Sequence, residues 1–264
     1  MNRYSDRKRY FSELAETSER YYLDYLRRFK PFGIGSRVLE VGCGEGGNLL
    51  PFAQAGCKVV GIDISRGKID NAICFFKERD AIGEFLSMDF LEDETPDGLF
   101  DIVIAKDIME HIAPEKKERF LRRVRLLLRP DGIAFFGFPA WQMPFGGHQQ
   151  TCREWICAHL PWTHLLPEKS YRSFLSRSGE DARHIDELME IRRCRMNVEL
   201  FERLCNATGF QILDRTLWLV NPHYRAKFGL IPLRLRLGLD RIPGLRDVLS
   251  TSCFFILRQQ PTSR

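Results

Sequence analysis

Short runs of apolar, β-branched residues alternate along this chain with segments of helical spacing, and this alternation constrains the fold more than any other feature. Strands are predicted at seven runs: RVLEVG, KVVGIDI, GEFLSMD, FDIVIAK, GIAFFGFP, QILDRTLWLV and TSCFFILRQ. Helical segments separate most of the first five, and such crossovers return the chain to the same end of a sheet, which makes those strands parallel. Because the crossovers are right-handed, we expect an α/β fold with a doubly wound, seven-stranded sheet and helices on both faces. No long helix joins the last two runs, so we expect an antiparallel pair at the edge of the sheet.

The domain organisation follows from the places where this alternation begins and stops. The chain has 264 residues and no repeat or Gly/Ser linker, so we expect a single domain over 1–264. Amphipathic spacing predicts an N-terminal helical segment within residues 1–35. The alternation breaks over residues 139–195, which we interpret as an insertion on the substrate side of the sheet. Residues 221–249 form a predicted basic loop.

The composition predicts a cytoplasmic protein. No apolar run reaches the roughly 18 to 20 residues of a membrane span, and the start, MNRYSDRKRY, lacks the apolar core of a secretion signal. The cysteines include no CxxC pair and no short spacing to histidine typical of zinc, so we expect no metal and mostly buried, reduced thiols. The cysteines are Cys43, Cys57, Cys74, Cys152, Cys157, Cys194, Cys205 and Cys253.

A glycine cluster between the first strand and the first helix predicts a nucleotide site. Gly42, Gly44 and Gly47 in GCGEGG satisfy GxGxxG, the pattern that admits a pyrophosphate at a helix N-terminus. An NAD(P)-dependent oxidoreductase is therefore one alternative. Asp63, at the end of the next strand, would accept hydrogen bonds from the ribose of any adenosine ligand, so it does not decide between ligands.

Glu40 does decide between them. It ends the first strand beside the glycine turn, where a diphosphate would sit in a dinucleotide site. Two like charges a few ångströms apart cost roughly several kcal/mol at an intermediate dielectric. S-adenosylmethionine carries no phosphate, and its methionine end presents an ammonium and a sulfonium. A carboxylate at this place therefore favours S-adenosylmethionine.

At these motifs the chain resembles the class I S-adenosylmethionine-dependent methyltransferases, over nearly its whole length. VLEVGCGEGG, GIDIS, SMDF, FDIVIAKDIMEHI and RPDGIAFFGFP resemble five successive motifs of that family. The resemblance implies a Rossmann-like sheet whose last strand is antiparallel, and it implies methyl transfer from S-adenosylmethionine. A protein that keeps the S-adenosylmethionine pocket but has lost the chemistry is a further alternative.

The resemblance also assigns residues to the cofactor site. It implies that Asp63 holds the ribose, Ile64 and Asp89 meet the adenine, and Lys106 and Asp107 line the methionine side. The complete set of cofactor-binding positions is Glu40, Gly42, Cys43, Gly44, Gly46, Asp63, Ile64, Asp89, Phe90, Lys106 and Asp107. The leading helix is expected to close over the cofactor and to bring Tyr10, Tyr21 or Tyr22 against it.

Two histidines are candidate catalytic bases. Methyl transfer to a hydroxyl is an in-line displacement in which the acceptor loses its proton near the moment of attack, so a positioned base is useful. His148 follows the flexible pair Gly146 and Gly147 in the insertion, and histidine titrates in a suitable range. His111 follows Glu110 in the fourth motif. Each histidine has a structural alternative, as a hydrogen-bonded side chain that orients its loop.

The acceptor is the least constrained part of the prediction. PWTHLLPEKSY offers Trp162, His164 and Tyr171, which would either stack on a ligand ring or form local core. A weaker resemblance to methyltransferases of bacterial surface-glycan synthesis suggests a sugar hydroxyl, so the predicted acceptor is a small molecule or a glycan. The stretch KFGLIPLRLRLGLDRIPGLR would suit peripheral contact with an anionic membrane or a solvated loop. No nucleic acid is expected, because the net charge is only +5 and no RNA or DNA module is recognisable.

Overall fold

Within residues 6–260, which the computed structural model describes, the strands form one mixed sheet in the order β3-β2-β1-β4-β5-β8-β6-β7. Strands β1 to β5 pair in parallel, and β8 pairs antiparallel with both β5 and β6. The expected α/β class and the antiparallel last strand are confirmed. The strands are β1 Arg37–Val41, β2 Lys58–Asp63, β3 Glu84–Ser87, β4 Phe100–Lys106, β5 Leu128–Phe138, β6 Phe210–Val220, β7 Leu233–Arg234 and β8 Ser252–Gln259.

Two details of the predicted sheet are wrong. The sheet has eight strands rather than seven, because Leu233 and Arg234 pair antiparallel with the end of β6 in a ladder too short to leave a sequence pattern. The late antiparallel pair is also not at the edge. Strand β8 lies between β5 and β6, and its run of buried apolar residues suits a position covered on both faces.

Helices cover both faces of the sheet. A π-helical turn, Ser18–Tyr22, joins the first two helices, so helical structure runs from residue 7 to residue 27 within the predicted N-terminal segment. The helices are α1 Arg7–Thr17, α2 Leu23–Arg27, α3 Leu50–Gln54, α4 Arg66–Glu78, α5 Lys117–Leu127, α6 Trp155–His159, α7 Glu168–Arg177, α8 Ala182–Cys194, α9 Val198–Ala207, α10 His223–Phe228 and α11 Leu245–Leu249.

The central strands are buried on both sides because successive side chains of a strand point to opposite faces. Leu39 and Val41 pack in one core with α5 and α9, whereas Val38 packs in a second core with α1 and α2. This packing leaves the carboxyl ends of β1, β2 and β4 side by side at one edge of the sheet. In parallel sheets of this kind ligands bind at that edge.

The insertion is more regular than its sequence indicates. No long periodic run is visible over residues 139–195, yet α7 and α8 have 10 and 13 residues. Together with α6 they enclose a small core of their own, made of Cys152, Cys157, Tyr171, Leu175, Ile185 and Leu188. Of these six side chains, α7 and α8 contribute two each and α6 one, too few to make a helical period conspicuous.

The basic loop contains short elements rather than one irregular segment. Helices α10 and α11 and strand β7 all lie within residues 221–249. None of the helices within residues 6–260 combines the length and the apolarity needed to cross a membrane. Residues 1–5 and 261–264, the two ends of the predicted single domain, lie outside the described residues.

Candidate active site

The glycine turn after β1 has an open side. Gly42, Gly44 and Gly46 all have positive φ angles, of 75°, 54° and 80°, which favour glycine. The turn is fixed by the N–H groups of Gly42 and Cys43, which donate to the carbonyl of Ile62 at 2.7 and 2.9 Å. A Cβ at Gly44 would meet nothing within 4 Å, whereas one at Gly46 would lie 2.8 Å from the Phe85 ring. Gly44 therefore faces a space that a ligand can enter, and Gly46 serves close packing.

Glu40 presents a buried oxygen without a partner. Its carboxylate Oε1 accepts a hydrogen bond from Asn48 Nδ2 at 2.7 Å, but Oε2 has no hydrogen-bond partner among residues 6–260. Burial raises the pKa of Glu40 to about 8, although Asn48 and Lys106 oppose the shift. A buried polar atom left without a partner calls for a ligand in a native structure. The group that satisfies this one is a cation or a hydrogen-bond donor.

Asp63 joins the end of β2 to the glycine turn. Its Oδ2 accepts from the Gly44 N–H at 3.0 Å and its Oδ1 from the Ser65 N–H at 2.9 Å. Lys68 Nζ lies 4.0 Å from Oδ2. Asp63 thus has a fixed orientation, and it lines a cavity beside the glycine turn.

A cavity of about 580 Å³ opens beside the glycine turn. On its wall Phe90 packs edge-on against Phe120, with ring centroids 5.0 Å apart, and the Asp89 carboxylate accepts from the Leu91 N–H. Ile64 is 73% exposed and presents an apolar surface at the cavity wall. Of the predicted site residues, those that line this cavity are Gly42, Asp63, Ile64, Asp89, Phe90, Asp107 and His111.

Lys106 and Cys43 point elsewhere. Lys106 is buried, its ammonium donates to the Asp107 carboxylate at 2.5 Å, and it lies 5.9 Å from the centroid of the Phe254 ring in β8. Neither Lys106 nor Cys43 lines the cavity, and the same is true of Glu40, Gly44 and Gly46. The Cys43 thiol belongs to the second core, where burial raises its pKa well above the usual range. Cys43 contributes to the turn through its backbone N–H.

His111 and His148 meet at the mouth of this cavity. Their ring centroids lie 5.0 Å apart with the planes nearly perpendicular. His111 keeps an exposed edge although protein surrounds most of its ring, and burial, followed by repulsion from His148, lowers its pKa to about 4. Burial also lowers the pKa of His148. Both imidazoles are therefore neutral near pH 7 and are able to accept a proton.

Glu110 completes this cluster from below. Its carboxyl is buried, and neither oxygen has a hydrogen-bond partner among residues 6–260. Burial, with a contribution from the Asp107 charge, raises the pKa of Glu110 to about 8. One atom each from Glu110, His111 and His148 lie within 4.8 Å of one another, so the cluster has the composition to hold a proton or a metal ion.

The glycines before His148 provide space rather than the flexibility expected of them. A Cβ at Gly146 would lie 2.3 Å from the carbonyl oxygen of Trp141, and one at Gly147 would lie 2.2 Å from the His164 Cβ. His164 itself is fully buried and its Nε2 hydrogen-bonds the Trp141 carbonyl at 2.7 Å. The structure therefore places His164 in local core rather than against an acceptor.

Several residues near the site carry no recognisable sequence signal. The Tyr22 hydroxyl is buried without a hydrogen-bond partner among residues 6–260, and burial together with the Asp107 and Glu40 charges raises its pKa well above the usual range. Of the three leading tyrosines considered, Tyr22 is thus the one whose hydroxyl senses the site. Asn48, which fixes Glu40, was not predicted at all.

The comparisons with known proteins agree with this geometry. Residues 38–132 match a family described as "Methyltransferase domain", and this range holds the glycine turn, Glu40, Asp63, Asp89 and His111. Over these residues the chain is similar to methyltransferase domains. The match ends before residues 139–195, so the insertion lies outside the part of the chain that the family describes.

Relatives and solved structures extend the comparison. An uncharacterized protein of Rickettsia prowazekii is 31% identical over 153 residues, which cover 52% of this chain and 58% of the relative. A ubiquinone biosynthesis O-methyltransferase of Bradyrhizobium diazoefficiens is 33% identical over 103 residues, 38% of each chain. The chain thus matches between 38% and 58% of the length of these relatives. Magnesium protoporphyrin IX methyltransferase from Synechocystis, solved with bound SAH, has a TM-score of 0.54 at 16% identity, covering 94% of this chain and 84% of the other. At that identity the likeness shows a shared fold.

Proposed function

We propose that this methyltransferase domain transfers a methyl group from S-adenosylmethionine to a hydroxyl of a small acceptor. The observation that carries the proposal is the buried, unpaired Oε2 of Glu40, in the strand that leads into the glycine turn. An ammonium satisfies that oxygen, whereas a diphosphate would be repelled by it once ionised. The match to the methyltransferase family supports the same choice over an NAD(P)-dependent oxidoreductase.

The residues of the cavity, together with Glu40 in β1, fit the parts of this cofactor. Glu40 would face the ammonium, and Asp63 would accept from the ribose hydroxyls with the lone pairs that Gly44 and Ser65 leave free. Ile64 and Phe90 provide apolar surface for the adenine beside the Asp89 carboxylate. S-adenosylmethionine supplies an activated methyl group on a sulfonium sulfur.

The two neutral histidines give the site a base. A ring nitrogen of His111 or His148 would accept the hydroxyl proton of the acceptor, while S-adenosylmethionine would give up its methyl group by cleavage of the sulfonium carbon–sulfur bond and leave as S-adenosylhomocysteine. The Glu110 carboxyl lies close to both rings. Bases positioned in this way contribute about 100-fold to 10,000-fold to the rate.

A ring hydroxyl is the acceptor that we propose first. The named relatives are ubiquinone biosynthesis O-methyltransferases, and the glycan acceptor expected from the weaker resemblance finds no support among them. The label from methyl-labelled S-adenosylmethionine, incubated with fractionated extract of the native cell, should appear in small organic-soluble molecules. Label found in protein or RNA alone would contradict the proposal.

The histidines can be tested on the labelled fraction. We expect His111→Gln and His148→Gln each to lower kcat by about 100-fold while the KM for S-adenosylmethionine stays unchanged, because the base acts on the acceptor. His159→Gln is the matched control, since His159 is exposed on α6 and stacked on Trp155. Wild-type rates in both site variants would remove the histidines from catalysis.

We also propose that the basic loop contacts an anionic membrane surface in the cytoplasm. Ile231 and Leu237 are 80% and 96% exposed, and Arg234, Arg236 and Arg241 lie between or beside them. Apolar side chains that insert and cations that neutralise lipid charge are the two components of such binding.

Vesicle sedimentation tests this contact. The protein should pellet with vesicles that contain phosphatidylserine and much less with phosphatidylcholine alone. Replacing Ile231 and Leu237 together with serine should reduce the bound fraction about 10-fold, because each buried apolar side chain contributes about 1 kcal/mol or more. Ile34→Ser with Ile82→Ser, which removes two equally exposed side chains elsewhere, is the control. Equal loss in both double variants would make the effect nonspecific.

A further inference from the structure

The insertion gathers four metal-ligand side chains well outside the cofactor cavity. Cys152 follows a 3-10 turn, Cys157 lies in α6, Glu180 lies between α7 and α8, and His184 lies in the first turn of α8. The two sulfurs are 3.0 Å apart. A sulfur of Cys152, a carboxylate oxygen of Glu180 and a ring nitrogen of His184 all lie within 4.8 Å of one another.

Glu180 has one satisfied oxygen and one that lacks a partner. Its Oε1 accepts from the N–H groups of Arg153 and Glu154 at 2.7 and 3.4 Å. Its Oε2 is buried and has no hydrogen-bond partner within residues 6–260; the nearby His184 Nε2 is 3.7 Å away. Leaving a buried carboxylate oxygen unpaired costs about 1 to 3 kcal/mol or more. A cation between these side chains removes that cost.

We propose that Cys152, Cys157, Glu180 and His184 bind a structural Zn²⁺ ion. Thiolates, imidazole and carboxylate are the ligands that zinc takes in four-coordinate sites. The two cysteines are separated by four residues and the Glu–His pair by three. These spacings fall within the range of structural zinc sites, with glutamate in place of a second histidine.

The distance between the Cys152 and Cys157 sulfurs is compatible with zinc binding after a small movement. Two sulfurs bound to one zinc at about 2.3 Å in tetrahedral geometry lie roughly 3.8 Å apart, so the thiols need to separate by about 0.8 Å. A disulfide would require them to approach to about 2.05 Å. A disulfide would leave Glu180 Oε2 without a partner and would not explain why His184 lies beside Cys152 and Glu180. The convergence of Cys152, Glu180 and His184, with the Cys157 sulfur in contact with that of Cys152, favours the metal over a disulfide alone.

The ion would stabilise a unit that is poor in apolar contacts. The separate core of the insertion contains six buried side chains, two of which are Cys152 and Cys157. Units with so small a core are commonly stabilised by a metal or a disulfide. A zinc ion would link α6 to α8, and α8 carries Glu190 to the wall of the cofactor cavity. The metal would therefore hold the substrate side of the protein in place.

Cobalt provides the direct test in the wild-type protein. Reduced protein stripped with a chelator should bind about one equivalent of Co²⁺, giving a thiolate-to-cobalt charge-transfer band and the intense visible bands of tetrahedral coordination. Added Zn²⁺ should abolish both bands and raise Tm. Absence of the charge-transfer band in fully reduced protein would overturn the proposal, whether or not Cys152 and Cys157 are found oxidised together after purification.

Variants identify the ligands. Cys157→Ser and His184→Ala should each weaken Co²⁺ binding by at least about 10-fold. Cys74→Ser and His159→Ala replace exposed residues of the same types and should bind as the wild type does. Equal binding by the ligand and control variants would overturn the site. If a ligand variant fails to fold, the wild-type cobalt spectrum still decides. The site does not depend on methyl transfer, so cofactor titrations test the two proposals separately.

Discussion

Replacing Glu40 with glutamine is expected to weaken binding of S-adenosylhomocysteine by about 100-fold or more. The variant keeps an oxygen for the Asn48 amide but loses the charge that faces the ammonium, and breaking a buried ion pair costs about 3 to 5 kcal/mol. Calorimetry measures the affinity directly. Glu84→Gln is the control, because Glu84 is an exposed carboxylate on β3.

The same titration should show that binding of S-adenosylhomocysteine releases a proton from Glu40. The pKa of Glu40 is about 8 in the protein alone, so most molecules hold the proton at pH 7 and release it when a cation binds. The apparent binding enthalpies measured in two buffers of different ionisation enthalpy should differ for the wild type and should agree for Glu40→Gln. Affinity should rise as the pH approaches 8. Heat with NADH and none with S-adenosylhomocysteine would contradict the cofactor assignment.

Glu110 should make the stability of the protein fall as pH rises. Its pKa is near 4.5 when unfolded and about 8 when folded, so the folded state binds the extra proton between these values. The stabilisation is complete below about pH 4.5 and is lost as pH rises through 8. Between about pH 6.5 and pH 8.5 the wild type should lose about 2 kcal/mol of unfolding free energy from this group alone.

Urea unfolding at the two pH values measures this loss. Glutamine at position 110 cannot ionise, so Glu110→Gln should not show this loss of unfolding free energy. Glu94→Gln, which replaces an exposed carboxylate, should still show it. His111, whose pKa burial lowers to about 4, is present in all three proteins, so its titration cancels in the differences. Glu40 is present in all three proteins and cancels in the differences. Parallel curves for wild type and Glu110→Gln would mean that the buried carboxyl is already ionised.

The gathering of the predicted residues at one edge of the sheet was largely predictable from sequence. Gly42 and Asp107 follow strand ends and Asp63 ends β2, and parallel strands bring their carboxyl ends to one edge whatever the details of packing. The direction of the Lys106 side chain was not predictable. Its ammonium turns toward Asp107 and toward the ring of Phe254 in β8, a strand that comes about 150 residues later in the sequence. Strand β7 was not predicted, because a strand of two residues is too short to show an alternation of apolar and polar side chains.

The insertion was not predictable in the same way. His148 reaches His111 only because Gly146 and Gly147 allow the chain to pass against Trp141 and His164. Such contacts depend on steric fit between loops and leave no spacing in the sequence. The proposed zinc ligands were not predictable for a related reason, since 22 residues separate Cys157 from Glu180 in the sequence.

The place of β8 has a consequence for synthesis of the protein on the ribosome. Residues 252–259 fill the gap between β5 and β6, so neither strand has this neighbour until residue 259 has emerged. A nascent chain that lacks them leaves the facing edges of β5 and β6 unpaired, and such edges readily join other strands. We therefore expect the chain to be most prone to aggregation before residues 252–259 have been synthesised.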